Sequence, residues 1–207
     1  MNSSTTSLRR CSSGQPEEAE LFDDITDEHL DLWRAQWVPF AQAAQAARGH
    51  HGPTSGLPED LHWDWKKKTD WSRSLMALQR FALTCDRELQ GLMLLNMAKY
   101  SKLPSQVGRH LAYIEFVATA PWNRPDLVGQ PRFRGVGLAL MRVAVEVSRA
   151  ESFRGRVGLH SLPQACRFYR EACGMTDLGP DASYDKLTYF EMTEAQANAF
   201  CAPSNTP

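Results

Sequence analysis

Arg132-Phe133-Arg134-Gly135-Val136-Gly137 is the stretch on which the fold turns. It follows a segment of strand character, residues 108–119, and opens one of helical spacing, residues 135–150, where Val136, Leu140, Val143 and Val147 form one stripe. The first N–H groups of a helix have no partner within it, and the helix dipole favours negative charge at that end. Gly135 and Gly137 let the backbone approach an anion with no side chain in the way. Arg132 or Arg134 adds a charge-assisted bond to a phosphate oxygen. A helix entry that needs glycine only for packing reads the same way, so these six residues alone leave both readings open. A dinucleotide loop fits less well, because Leu140 stands where GxGxxG has its third glycine and residues 158–161 supply no acid. No Gly-Lys-Ser/Thr occurs, which excludes a Walker loop.

Working outward, residues 156–162 read as a strand and residues 163–173 as a helix with Pro163 in its first turn. Residues 187–192 are a last strand. Upstream, residues 75–85 and 89–97 are two strands joined by the polar turn Asp86-Arg87-Glu88. Residues 121–131, with three prolines, are a loop. Nearer the start, residues 19–22 are a short strand, and Thr26 caps a helix carrying Leu30, Trp33 and Trp37 at helical spacing. Pro39 must kink that helix, since it lacks an N–H and clashes with the previous turn. Residues 59–71 form a second helical patch. The order is close to βααββββαβαβ, which predicts an α/β fold, a sheet with helices on its faces.

The chain has 207 residues and a net charge of −1. That suits one soluble domain and no strong field toward nucleic acid or an anionic membrane. The five cysteines form no CxxC pair, which predicts neither a disulfide framework nor a zinc site and points to a reducing compartment. Without an apolar leader or a membrane-spanning run, the expected location is the cytoplasm. The Ser/Thr-rich residues 1–17 are expected to be a disordered tail, residues 18–200 one domain with its core at 75–192, and residues 201–207 a frayed end.

Four motifs in order carry a family resemblance. Arg132-x-x-Gly135-x-Gly137, followed by Leu138-Ala139-Leu140-Met141, resembles the acetyl-CoA loop and helix start of the GNAT acetyltransferase superfamily. The alternative register Arg134-x-x-Gly137-x-Ala139 also fits. Residues 113–121 resemble that family's fourth strand, residues 86–91 its strand 2–3 hairpin, and Ala165-x-x-Phe168-Tyr169 with Cys173-Gly174-Met175 its closing helix. Four departures stand out. The loop at residues 122–131 is longer than usual, Phe133 stands where a glycine is common, Leu162 replaces a common Asn, and the Tyr169-to-Gly174 spacing is one residue longer than usual.

The resemblance implies a single domain with a central, mixed, mostly antiparallel twisted sheet, splayed between the family's strands four and five, and N-acetyl transfer from acetyl-CoA to a primary amine. Backbone N–H groups of Val117 and Thr119, near a bulge, would hold the pantetheine and thioester. Arg132, Phe133, Arg134, Gly135, Val136 and Gly137 would hold the pyrophosphate. Tyr169 takes the family's acid position, and Glu115 stands where relatives often carry a base. Each has a plainer reading: a core tyrosine and an exposed strand residue. His160 is either a base or a satisfied structural residue, with Ser161 in the missing Asn's place. The tryptophans of the first helices are core, or an aromatic wall for an acceptor. Lys66, Lys67 and Lys68 read as a solvated run. The acceptor stays open among small molecules, peptide or protein amines and aminoacyl-tRNA, and a homodimer is possible. Two rival readings are a non-catalytic acyl-CoA or protein-binding module and a nicotinamide-nucleotide protein.

Overall fold

A computed structural model describes residues 2–47 and 59–202. The strands are β1 Ser3–Arg10, β2 Pro16–Phe22, β3 Leu78–Cys85, β4 Glu88–Tyr100, β5 His110–Thr119, β6 Phe133–Arg134, β7 Val157–Ser161, β8 Thr176–Asp181 and β9 Leu187–Met192. The α-helices are α1 Asp27–Leu32, α2 Val38–Ala47, α3 Trp65–Arg73, α4 Val136–Ala150 and α5 Glu194–Cys201. All nine strands form one open sheet in the order β6-β1-β2-β3-β4-β5-β7-β9-β8. The β5–β7 pair is parallel, with α4 in its crossover. The β1–β2, β1–β6, β2–β3, β7–β9 and β8–β9 pairs are antiparallel. The α/β class and the mixed, mostly antiparallel sheet are as the sequence predicts. No described helix is long and apolar enough to cross a membrane. Contacts group the chain into two compact units, Met1–Leu94 with Phe116–Ala139, and Leu95–Glu115 with Leu140–Pro207.

In the first unit, the expected tail of residues 1–17 is instead ordered as β1 and the start of β2. The Ser/Thr composition misleads because threonine suits a pleated strand. The strand buries Leu8 to 1% exposure, and a turn with Gly14 at φ +70° returns the chain. Arg10 fastens the hairpin by ion pairs to Glu17 at 2.6 Å and Asp86 at 2.9 Å. Thr26 caps α1 as expected, in a reciprocal box with His29. The disruption expected from Pro39 appears as a π turn, Trp33–Trp37, in which Val38 N–H reaches Trp33 O. The second helical patch is divided: a 3-10 turn, Glu59–His62, precedes α3, which starts at Trp65 because Asp64 caps it through Lys67 N–H. Ile25, Leu30, Trp37, Trp65, Leu92 and Leu94 form this unit's core.

In the second unit, two elements escape the sequence pattern. Strand β8 contains Gly179 and Pro180, residues that strands seldom hold; an edge position with a register shift between Asp177 and Pro180 tolerates both. Helix α5 lies in the region expected as the domain's end. Its signal was the capping box of Thr193 with Gln196. Residues 203–207 of the expected frayed end lie outside the described residues. The closing helix is short: a 3-10 turn, Pro163–Ala165, then a π turn, Phe168–Ala172, in which Cys173 N–H reaches Phe168 O.

Glu191 on β9 is fully buried and anchors the β4–β5 connection. Its carboxylate accepts from Ser101 Oγ, Lys102 N, Leu103 N at 3.2 Å and Gln106 Nε2 at 3.0 Å. Removing the carboxylate strands several buried donors, so Glu191→Ala is expected to cost about 3 kcal/mol. Urea unfolding of the two proteins checks this; a loss under about 1 kcal/mol would contradict the anchoring role.

Candidate functional site

Strand β5 is irregular at its middle. In a regular strand, residues of the same parity send their N–H groups to the same side. Here Ala112 N–H bonds Arg156 O on the β7 side at 3.0 Å, whereas Ala120 N–H bonds Gln90 O on the β4 side at 2.8 Å. One extra residue must lie between them, which is a β-bulge. It lies beyond Ile114, where the β5–β7 ladder ends. Glu115 accepts from Asn96 Nδ2 at 2.7 Å. Phe116 packs on the cluster that holds Leu92 and Leu94. Alternation back from Ala120 then points the N–H groups of Val117 and Thr119 away from β4. Among the described residues, the β5–β7 ladder covers Ala112 to Ile114 and stops.

The loop before α4 lies in the first unit. Thr119, Asn123, Gly129, Arg134, Gly135 and Gly137 are among the residues around a cavity of about 350 Å³. Gly135 has φ +94°, a conformation that side-chain-bearing residues rarely adopt, yet the nearest atom to an added Cβ is Leu8 Cδ2 at 4.0 Å. The backbone angle, not crowding, therefore demands glycine there. The first helical hydrogen bond runs from Ala139 N–H to Gly135 O, so the N–H groups of Val136, Gly137 and Leu138 precede the ladder.

The two arginines part company. Arg134 lines the cavity. Arg132 does not: its guanidinium pairs with Glu88 at 2.7 Å and lies over the Trp122 ring at 4.8 Å. Phe133 is buried at 2% exposure with the Arg10 guanidinium 4.8 Å from its ring, and its N–H is used by Asn123 Oδ1 at 2.9 Å. The long loop has a purpose in this arrangement, since Asn123 and Trp122 hold Phe133 and Arg132 from it.

The candidate proton carriers lie in the second unit. Tyr169 is 6% exposed, inside the π turn, with its ring against Phe168 and Phe190. Glu115 is half-buried, bonded to Asn96 and 3.9 Å from Lys99 Nζ. His160 is a satisfied residue: Nδ1 meets Tyr113 Oη at 2.6 Å, Nε2 meets Asp181 Oδ2 at 3.1 Å, and the ring stacks on Tyr184 at 3.8 Å. A neutral imidazole with its proton on Nε2 satisfies both bonds. Burial pushes the His160 pKa down, against the pull of Asp181. Burial likewise pushes the Tyr113 hydroxyl up, so it keeps the proton it donates.

Lys68 departs from the solvated run expected of residues 66–68. Lys66 pairs with Asp70 at 2.7 Å, but Lys68 Nζ sits 3.3 Å from the centre of the Phe116 ring and 4.6 Å from that of Trp63. Burial pushes its pKa down to about 8. The signal was its place one turn after Trp65, on the buried side of α3. Five free cysteines are present, and burial pushes the Cys173 thiol up to about 12.

No protein-family model and no curated protein matches the sequence. Solved structures match in fold. The GNAT domain of PAT from S. lividans superposes with TM-score 0.52 at 16% identity, over 92% of this chain and 96% of that one. The aminoglycoside acetyltransferase AAC(6')-Ib, solved with coenzyme A and kanamycin, gives 0.52 at 16% identity, over 88% and 98%. FeeM, an N-acyl amino acid synthase from uncultured soil microbes, gives 0.53 at 10% identity, over 87% and 93%.

The state of His160 has a measurable consequence. With its folded pKa below the ordinary value of about 6.5, the unfolded chain takes up the proton first as pH falls. Stability is therefore full above that value and declines below it. Buried His29 shifts the same way and adds to the slope. Denaturant unfolding between pH 7 and 5 should show the decline, and His160→Gln should flatten part of it. An unchanged slope in the variant would remove His160 from the effect.

Proposed function

We propose, from a chain with the fold of the GNAT acetyltransferases, an N-acetyltransferase that uses acetyl-CoA and a primary amine acceptor. The observation that carries this is the pairing of two features: a helix mouth whose backbone demands glycine, and a strand whose bulge turns two amides away from the sheet neighbour. Acetyl-CoA supplies the acyl group as an activated thioester. The N–H groups of Val136 and Gly137, with the Arg134 guanidinium, suit a pyrophosphate in charge and in approach. Gly135 sets the turn that aims them. Val117 and Thr119 offer the amides that hold the pantetheine arm and steady negative charge on a carbonyl oxygen. Arg132 ties the base of that loop to Glu88, and Phe133, which lines the same cavity, is held there by its N–H to Asn123. Tyr169 is the proposed acid for the leaving thiolate, and Glu115, with Asn96 and Lys99 fixing its carboxylate, is the proposed base.

The test is direct. Purified protein is given acetyl-CoA with a panel of small amines, peptides and aminoacyl-tRNA, and free thiol is followed. Release that depends on an amine supports transfer. Binding of acetyl-CoA without release leaves the non-catalytic module standing. In parallel, a ligand at a hundredfold excess over its Kd stabilises the fold by about 2.7 kcal/mol. Thermal shift should show this with acetyl-CoA; a larger shift with NAD would overturn the reading.

Two substitutions examine the assignments. Arg134→Ala is expected to weaken coenzyme A binding by about tenfold, the loss of one charge-assisted bond, while Arg132→Ala changes it less. Calorimetric titration compares them, and the reverse order would return Arg132 to the phosphate site. Tyr169→Phe should slow turnover far more than it weakens coenzyme A binding; unchanged turnover would exclude Tyr169 from proton transfer.

A further inference from the structure

We infer that a second cavity in the first unit takes an uncharged, apolar group about the size of an aromatic ring, carried by one of the two reactants; this rests on the acyl-transfer reading. The cavity is about 230 Å³ and is walled by Trp33, Trp37, Trp65, Ala41 and Ala118, among others. Close-packed interiors leave few voids larger than a water molecule, and engineered apolar cavities of about 150 Å³ bind benzene. A cavity of this size with indole walls is therefore room for a guest.

Charge decides the guest's character. The charged part of the wall is Asp60 with Arg124, paired at 2.6 Å and each with a side chain only about a tenth exposed, and Gln42 and Thr119 are its neutral polar members. Arg124 is held again by Asp126 at 3.1 Å. The carboxylate that an incoming ammonium would seek is thus already matched. Of the indoles that line the cavity, Trp63 already carries the Lys68 ammonium. What remains for a guest is indole and aliphatic surface with two neutral polar neighbours and no unmatched carboxylate.

Position ties the cavity to the reaction. Thr119 lines both this cavity and the one at the mouth of α4. A guest here lies along the strand segment assigned to the donor's arm. The apolar group belongs either to the acceptor, as a ring beside its amine, or to the donor, as an acyl tail longer than acetyl.

Two arms separate these sources. In the first, 2-phenylethylamine is compared with ethylamine, both with acetyl-CoA. In the second, hexanoyl-CoA is compared with acetyl-CoA, both with ethylamine. A preference of about tenfold or more in kcat/KM for the apolar reactant is expected in one arm. The arm that shows it names the source. Ala41→Leu narrows the cavity from a half-buried helix position and should abolish that preference.

A binding measurement stands apart from turnover. The uncharged probe 2-phenylethanol should shift the indole emission of the wild-type protein, and less so that of Ala41→Leu. An emission shift without thiol release from any amine would sink acyl transfer and keep the cavity's specificity. Thiol release with no preference in either arm and no emission shift would do the opposite. A preference for spermidine over both amines would also overturn the inference, since it requires a site for positive charge.

Discussion

The N–H of Ala112 and the N–H of Ala120 point to opposite neighbours although eight residues, an even number, separate them. That one break in alternation decides where the amides in the second half of β5 point. Without the bulge, the amides of Val117 and Thr119 would be turned toward β4 and spent in the sheet. With it, they are turned away from β4, beyond the point where the ladder to β7 ends at Ile114. Along the same strand, Glu115 is tied to Asn96 and the Phe116 ring carries Lys68.

The parts of the fold that could be read from the sequence were those in which local chemistry and tertiary demand agree. Thr26 caps α1, Leu187 to Met192 is a strand, and Gly135 begins a helix because each obeys a rule confined to a few neighbours. The parts that could not be read depend on distant partners. Ser3 to Arg10 is a strand because β2 pairs with it from Ser3 to Arg9 and β6 joins at Arg9 and Arg10. Thr176 to Asp181 is one because an edge forgives its glycine and proline.

The candidate site divides in the same way. Its glycines and the open end of its helix were legible in the motif, and so was the long loop before it. Which arginine faces the cavity was not, because the answer lies in Glu88 and Trp122, more than forty and about ten residues away along the chain. The neutral state of His160 was likewise hidden in Tyr113 and Asp181, contributed by other strands. Lys68 looked solvated because its sequence neighbours are; the two rings that enclose it come from β5 and from the turn before α3.

The outer strand β8 bears on association. Pro180 lacks the N–H that a neighbouring strand would need, and the shift between Asp177 and Pro180 kinks the ribbon. At the opposite margin, β6 is two residues long. A copy of the chain seeking to extend the sheet finds at the β8 margin a template with a missing donor, whereas at the other margin β6 covers only Arg9 and Arg10 and leaves the flank of Ser3–Leu8 beside it. Self-pairing through continuous strands, the route by which open sheets polymerise, is therefore discouraged at the β8 end.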